Sequence, residues 1–307
     1  MRLPIIVTNN CNFRCKMCLR EYKRGTNIPL FLIEKILPQA KKIGYQNISL
    51  TGGEPALHPE FENIVKMIVD NGFNFSFISN GSMLKKYEFT VTKYKKNLQM
   101  ATFSLDGSSS IINDDIRSKG AFACTCKTIK FFVKKKIPVS ISICLNKKNK
   151  NDINNMYKLA LELKVKTLIF TSTIKTNFNK SLVLSDLEKM IVLNDISKRA
   201  IISPIRTLVM SALLTKKGVN FCNGINDLST LAINPFGKAI FCCDTVREGK
   251  VIGDLQKEDF YQIYSRYLRA VFKLKQLRLE ILKNDKIPKG FYSCEFCNGI
   301  DSKTLYH

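Results

Sequence analysis

At 307 residues, with 49 basic against 25 acidic side chains, the chain carries a net charge of +24 and 45% apolar residues. No stretch approaches the roughly 20 apolar residues of a membrane span, and no signal-peptide pattern precedes the first apolar run, so a cytoplasmic chain without a membrane span is expected. Eleven cysteines in such a chain point to metal rather than disulfides, and lysine runs without interleaved aromatics speak against single-stranded nucleic acid as partner.

Taken in order, strand-like runs fall at residues 3–7, 47–50, 75–79, 100–105, 139–145 and 167–171. Helical patterns lie between them, near 30–43, 59–71, 84–96, 122–136 and 152–163. Strands separated by helices of this length predict right-handed βαβ units and a parallel sheet. A further helix near 185–199 completes a first unit, residues 1–200; residues 201–216 bridge to a second, 217–307. There the turn Asn234-Pro-Phe-Gly237 predicts a hairpin of 231–234 with 238–242. A long amphipathic helix follows, apolar at Ile263, Tyr267, Val271, Leu274 and Ile281, and the chain ends in a loop bearing Cys294-Glu-Phe-Cys297.

The chemistry concentrates at the predicted strand ends, where barrels of parallel strands keep their working residues. After the first strand comes Cys11-Asn-Phe-Arg-Cys15-Lys-Met-Cys18. Three thiolates so spaced can hold three corners of a [4Fe–4S] cluster and leave the fourth iron open to a small molecule. Half a zinc site or buried free thiols are the bland alternatives. The second strand ends in Gly52-Gly53-Glu54, the third in Ser79-Asn80-Gly81, the fourth in Ser104-Leu105-Asp106-Gly107. The two glycines let backbone approach a ligand closely, and the carboxylate beside them can accept from an ammonium.

These motifs, in this order, resemble the radical SAM superfamily. The resemblance implies an α/β fold on a partial (β/α)6 barrel of TIM type, with S-adenosylmethionine (SAM) filling the open corner of the cluster. Gly52, Gly53 and Glu54 match the motif that contacts the SAM amino group. Ser79, Asn80, Ser104 and Asp106 match positions that hydrogen-bond its methionyl or ribose part. Met17 matches the residue that packs on adenine, and Arg117 and Asn146 are polar candidates for the same cavity. The implied chemistry is one-electron cleavage of SAM to a 5′-deoxyadenosyl radical, which takes hydrogen from an unactivated carbon.

Downstream, Cys222, Cys242 and the pair Cys294 and Cys297 resemble the first part of the SPASM pattern, and no cysteine follows Cys297. The match is to the shortened, twitch form, which implies one auxiliary [4Fe–4S] cluster on Cys222, Cys242, Cys294 and Cys297. A zinc knuckle on the same thiolates is the alternative. Cys243 is left over. Adjacent strand residues point to opposite faces, so a Cys242 turned to the cluster turns Cys243 toward the barrel mouth, where its thiol can give hydrogen to a substrate radical. The reverse assignment, Cys243 as ligand, stays open.

Cys222-Asn-Gly224, the doubled cysteine, the basic helix and Cys297-Asn-Gly299 together resemble radical SAM peptide epimerases of the epipeptide type. That implies two [4Fe–4S] clusters, SAM, a ribosomally synthesised precursor peptide and a reductant such as flavodoxin or ferredoxin. The product would carry D-residues, made by abstraction of a Cα hydrogen and its return from Cys243. With the barrel starting at residue 3, no leader-binding domain is expected before it. The competing readings are a twitch-bearing maturase or dehydrogenase, forming a thioether or carbon–carbon crosslink with loss of two hydrogens, and a zinc-stabilised nucleic-acid binder. Cys124, Cys126 and Cys144 read as core or surface thiols, and His58 and His307 have no partners that suggest a triad.

Overall fold

The computed structural model describes residues 1–19, 25–210, 214–215, 218–219, 222, 225, 227–243, 250–283, 294, 297 and 299–300. Asn223, Gly224, Asn298 and His307 lie outside these, as does the side chain of Ile281.

The first half alternates strand and helix: β1 (Arg2–Thr8), α1 (Leu30–Ile43), β2 (Asn47–Gly52), α2 (Phe61–Asp70), β3 (Asn74–Ser79), α3 (Leu84–Tyr94) and β4 (Leu98–Ser104). It continues through α4 (Ser110–Ile116), α5 (Ala121–Lys134), β5 (Val139–Leu145), α6 (Ile153–Glu162), β6 (Thr167–Ser172), α7 (Asp186–Ile202) and β7 (Arg206–Val209). β1 to β7 lie side by side in chain order, every neighbouring pair parallel. Such a sheet, covered by helices, buries both faces, so its strands read as near-continuous apolar runs. In β1, Leu3, Ile5 and Val7 pack into the core shared with the helices, while Ile6 joins a separate cluster on the other face.

Of the elements so far, α4 and β7 go beyond those expected. The short helix α4 buries only Asn113 and Ile116, too few positions for a periodic signal. β7 falls inside the expected bridge, 201–216, and adds a seventh parallel strand where six units were expected. The helix near 185–199 forms as α7, opened by a reciprocal capping box between Ser185 and Glu188.

After a two-stranded hairpin, β8 (Leu214–Thr215) with β9 (Gly218–Val219), the chain returns to the other edge of the main sheet. β10 (Ala232–Ile233) pairs parallel with β1 through Ile5 and Ile233, and β11 (Lys238–Ile240) and β12 (Val251–Asp254) extend the sheet antiparallel. The hairpin turn is held by Asn234, whose Oδ1 accepts from Phe236 N and Lys238 N, each at 3.0 Å. β11 stops at Ile240, two residues short of the expected strand end. α8 (Phe260–Lys283) then lays Phe260, Ile263, Tyr267, Val271 and Leu274 into the core. No helix among the described residues is long and apolar enough to cross a membrane.

Candidate active site

The C-terminal ends of the parallel strands converge on a cavity of about 220 Å³ lined by Cys11, Cys15, Cys18, Met17, Gly52, Gly53, Ser79, Asn80, Ser104, Arg117 and Cys144, among others. A wider groove of about 590 Å³ between α6 and α7 shares none of these residues.

The cysteine loop is fixed from two sides. From β2, Gly53 N donates to Thr8 O and Glu54 N to Asn10 O, both at 2.8 Å. A Cβ on Gly52 would stand 2.3 Å from Thr8 O, and one on Gly53 would stand 2.1 Å from Asn10 O and 2.9 Å from Cys11 Cβ. The paired glycines thus admit the cysteine loop itself, backbone against backbone, as well as lining the cavity. From α4, Ile116 O accepts from Lys16 N at 2.9 Å and Ser118 Oγ accepts from Arg14 N at 3.1 Å. Met17 packs on Ile116 and Leu182, with Cys15 and Cys144 beside it.

Two of the thiols, Cys11 and Cys15, each have their own polar neighbours. Phe13 N donates to Cys11 Sγ at 3.4 Å, Asn80 Nδ2 approaches the same sulfur at 3.8 Å, and Arg117 Nη1 approaches Cys15 Sγ at 3.8 Å. Burial pushes the Cys15 thiol up to about 12, against the pull of the Arg117 charge. Among the described residues, no three cysteine, histidine or carboxylate side chains converge as they stand to chelate a metal. The three cysteines share a cavity, and the sulfurs of Cys11 and Cys15 turn to separate partners.

Four of the expected SAM-contacting residues, Glu54, Asp106, Asn146 and Ser79, make hydrogen bonds within the protein. Glu54 is fully buried, and its carboxylate accepts from Tyr87 Oη at 2.5 Å, Asn80 N at 2.8 Å and Ser79 Oγ at 3.0 Å. Its burial favours the neutral carboxyl, while these donors favour the carboxylate; burial prevails and raises its pKa. It braces the strand-end turns from behind, and the cavity lining there is Gly52 and Gly53. Asp106, expected to hold ribose hydroxyls, is also fully buried: Oδ2 pairs with Arg117 Nε at 2.7 Å and Oδ1 accepts from Cys144 N at 2.7 Å. It aims Arg117, which does reach the cavity. Asn146 is spent on the β5 end, donating to Cys144 O at 2.8 Å and accepting from Lys148 N at 2.9 Å. The Ser79 hydroxyl likewise donates to Glu54.

Cys144 is the residue the sequence reading missed. It lines the cavity, with its sulfur 3.3 Å from Thr173 Oγ1. The signal was strand alternation: Ser142 and Cys144 are the two half-buried positions of β5.

At the other edge of the sheet, Cys222, Cys242 and Cys297 pack against the main core, and Cys222 acts electrostatically on Cys297. Cys294 is half-buried. Cys243 packs instead against Ile6, Ala232 and Ile240, on the opposite face of the sheet. The doubled cysteine is therefore split between two faces, although β11 has already ended and strand alternation is not the cause.

The fold and the cavity define an α/β protein with a mostly parallel sheet, consistent with a partial barrel, and with thiols, glycine backbone and polar side chains gathered at the strand ends. The Radical SAM superfamily model matches residues 5–160, half of the chain, and the chain belongs to that superfamily. As a member it is a radical SAM protein, and the superfamily's cofactors are SAM and a [4Fe–4S] cluster. The donor set fits both: three thiols share the cavity with glycine backbone, an amide, a hydroxyl and a guanidinium.

The chain is 27% identical over 168 residues to the antilisterial bacteriocin subtilosin biosynthesis protein AlbA of Bacillus subtilis, 53% of this chain and 37% of that protein. It resembles Streptococcus suis SuiB bound to precursor peptide SuiA, with a TM-score of 0.70 at 16% identity over 86% of this chain and 64% of that one. It also resembles anSMEcpe with bound AdoMet and the Cp18Cys peptide, with a TM-score of 0.67 at 16% identity over 86% of this chain and 79% of that one. At these identities the structures speak for the fold alone. The chain spans about a third to a half of the length of the curated relatives it matches, among them a nucleotide dehydratase.

Proposed function

We propose that this radical SAM enzyme acts on a ribosomally synthesised peptide and inverts L-residues to D-residues, with Cys243 returning the hydrogen. One observation carries the proposal: Cys243 stands across the sheet from Cys242, Cys222 and Cys297, against Ile6. A peptide substrate is supported by relatives named for bacteriocin biosynthesis and for a bound precursor peptide.

In this reading Cys11, Cys15 and Cys18 hold the first cluster, and Met17, Gly52, Gly53, Asn80, Ser104 and Arg117 bound the space for SAM. The bound cofactors supply a carbon-centred radical that removes a hydrogen atom from the peptide Cα. Arg117, held by Asp106, keeps a positive charge beside Cys15. The Cys243 thiol gives one hydrogen atom to the substrate radical, which completes the inversion and leaves a thiyl. Restoring the thiol takes one electron and one proton. Cys222, Cys242, Cys294 and Cys297, in a twitch-type unit over residues 217–307, would hold an auxiliary [4Fe–4S] cluster, which would supply that electron. A flavodoxin- or ferredoxin-type protein in the cytoplasm replaces it.

The test is Cys243→Ala with a co-expressed precursor peptide, comparing D-residue formation with SAM cleavage. Loss of D-residues with continued SAM cleavage supports the proposal. Undiminished D-residue formation rejects it, and a product lighter by two hydrogens assigns the enzyme to crosslinking or oxidation instead.

A further inference from the structure

α7 is apolar on two opposite faces. Val192, Leu193 and Ile196 turn into the core, as one stripe of a surface helix does. The other face carries Leu187, Met190, Ile191, Ile201 and Ile202, from 61% to 84% exposed. With 3.6 residues to a turn, these side chains fall within about 120° of the helix circumference. Asn194 and Lys198, both exposed, lie in the same sector. The groove of about 590 Å³ between α6 and α7 flanks the stripe and is lined in part by Ile191, Asn194 and Lys198.

A helix apolar on all sides belongs in an interior, and a contiguous exposed apolar patch marks an interaction site. This stripe fits a second copy of itself. It is close to a palindrome about Asn194: turned end over end, it lays Leu187 on Ile201 and Met190 on the aliphatic stem of Lys198. The charges agree with that direction. The first turn holds Asp186 and Glu188, and the last holds Arg199, preceded by Lys198. Antiparallel packing sets the acidic start of one helix beside the basic end of the other, twice by symmetry, whereas parallel packing sets like on like. Glu188 and Arg199 already pair within their own chain, with Lys150 at 2.7 Å and Asp195 at 3.0 Å, and both pairs are partly exposed. The charged ends therefore steer the orientation, and the apolar stripe supplies the hold.

We propose that α7 is the two-fold interface of a homodimer, packed antiparallel on the same helix of a second copy. Leu187 meets Ile201 of the partner subunit, and Asn194 lies at the axis. Such an isologous contact is self-complementary and closes on itself. The stripe shares no residue with the strand-end cavity, so the proposal stands independently of the reaction carried out there.

The full chain, purified anaerobically, is brought to sedimentation equilibrium over a series of concentrations. The parent is expected at twice the mass of one chain. Leu187→Glu and Ile201→Lys each set a charge against an apolar neighbour and are expected to weaken association on the order of 100-fold. An equimolar mixture of these two variants is expected to dimerise again. The mixed pair sets the new carboxylate against the new ammonium at one contact and leaves Leu187 on Ile201 at the other. Phe178→Ser, at a residue 74% exposed outside α7, is expected to associate as the parent does. Every substituted position is exposed, and circular dichroism checks that each variant keeps the helix content of the parent. A monomeric parent overturns the proposal, as does a dimer that the two single substitutions leave intact. Variants that dissociate alone and stay apart when mixed overturn the antiparallel pairing.

Discussion

Substituting Gly53 by alanine probes how the cysteine loop is held. The new Cβ would lie 2.1 Å from Asn10 O, 2.6 Å from Asn10 C and 2.9 Å from Cys11 Cβ, against 3.4 Å for ordinary contact. All three neighbours are backbone or the root of a cluster-side cysteine, so no flexible side-chain tip can swing aside. Relief requires the loop to move by about 1.3 Å at its closest point. Overpacking of this kind costs about 1–3 kcal/mol. At about 2–4 °C per kcal/mol for a protein somewhat smaller than this one, the midpoint falls by roughly 2–12 °C. The effect on chemistry is larger, since a displacement near 1 Å in reacting geometry costs on the order of 100-fold in rate. The assay pairs thermal unfolding with iron content and with SAM cleavage in anaerobically reconstituted protein. A folded Gly53→Ala variant with cleavage reduced on the order of 100-fold agrees with the reasoning. Unchanged iron content and cleavage would refute it, because the loop would then have accommodated a methyl group that the backbone leaves no room for.

Asp106→Asn keeps the shape of the buried carboxyl and removes the charge paired with Arg117 at 2.7 Å; urea unfolding is expected to show a loss of about 3–5 kcal/mol, the cost of an uncompensated buried charge. Loss below 1 kcal/mol would mean that the guanidinium finds other compensation. Tyr87→Phe deletes one donor to the Glu54 carboxylate while keeping the ring stacked on Phe77 at 4.5 Å; the expected loss is about 1.5–3 kcal/mol. Because Ser79 Oγ and Asn80 N still hold Glu54, SAM cleavage by the folded variant should stay near that of the parent, and its abolition would place Glu54 in the chemistry after all.

The sequence conveyed the strand–helix alternation well because a parallel sheet covered by helices writes itself as apolar runs separated by periodic segments. It conveyed less about elements with little core of their own, such as α4 with its two buried positions and β7 with its four residues. Residue type at a strand end also marked the right neighbourhood but not the direction a side chain takes. Glu54, Asp106 and Asn146 are polar residues at those ends, and all three turn into the protein to satisfy backbone and side-chain partners. Buried polar groups must find such partners, and a motif does not say whether a ligand or the protein supplies them. One signal was present and unread: the alternation that brings Cys144 to the cavity.

The central claim, peptide epimerisation with hydrogen returned by Cys243, is tested most directly by treating precursor peptide made in ordinary water with the reconstituted enzyme in D2O, then weighing the product after its exchangeable hydrogens are returned to ordinary water. A solvent-exchangeable thiol donor predicts a gain of one dalton at each converted residue, with D-configuration there and no other change in mass. An unlabelled peptide, or one that has lost two hydrogens, would contradict the account.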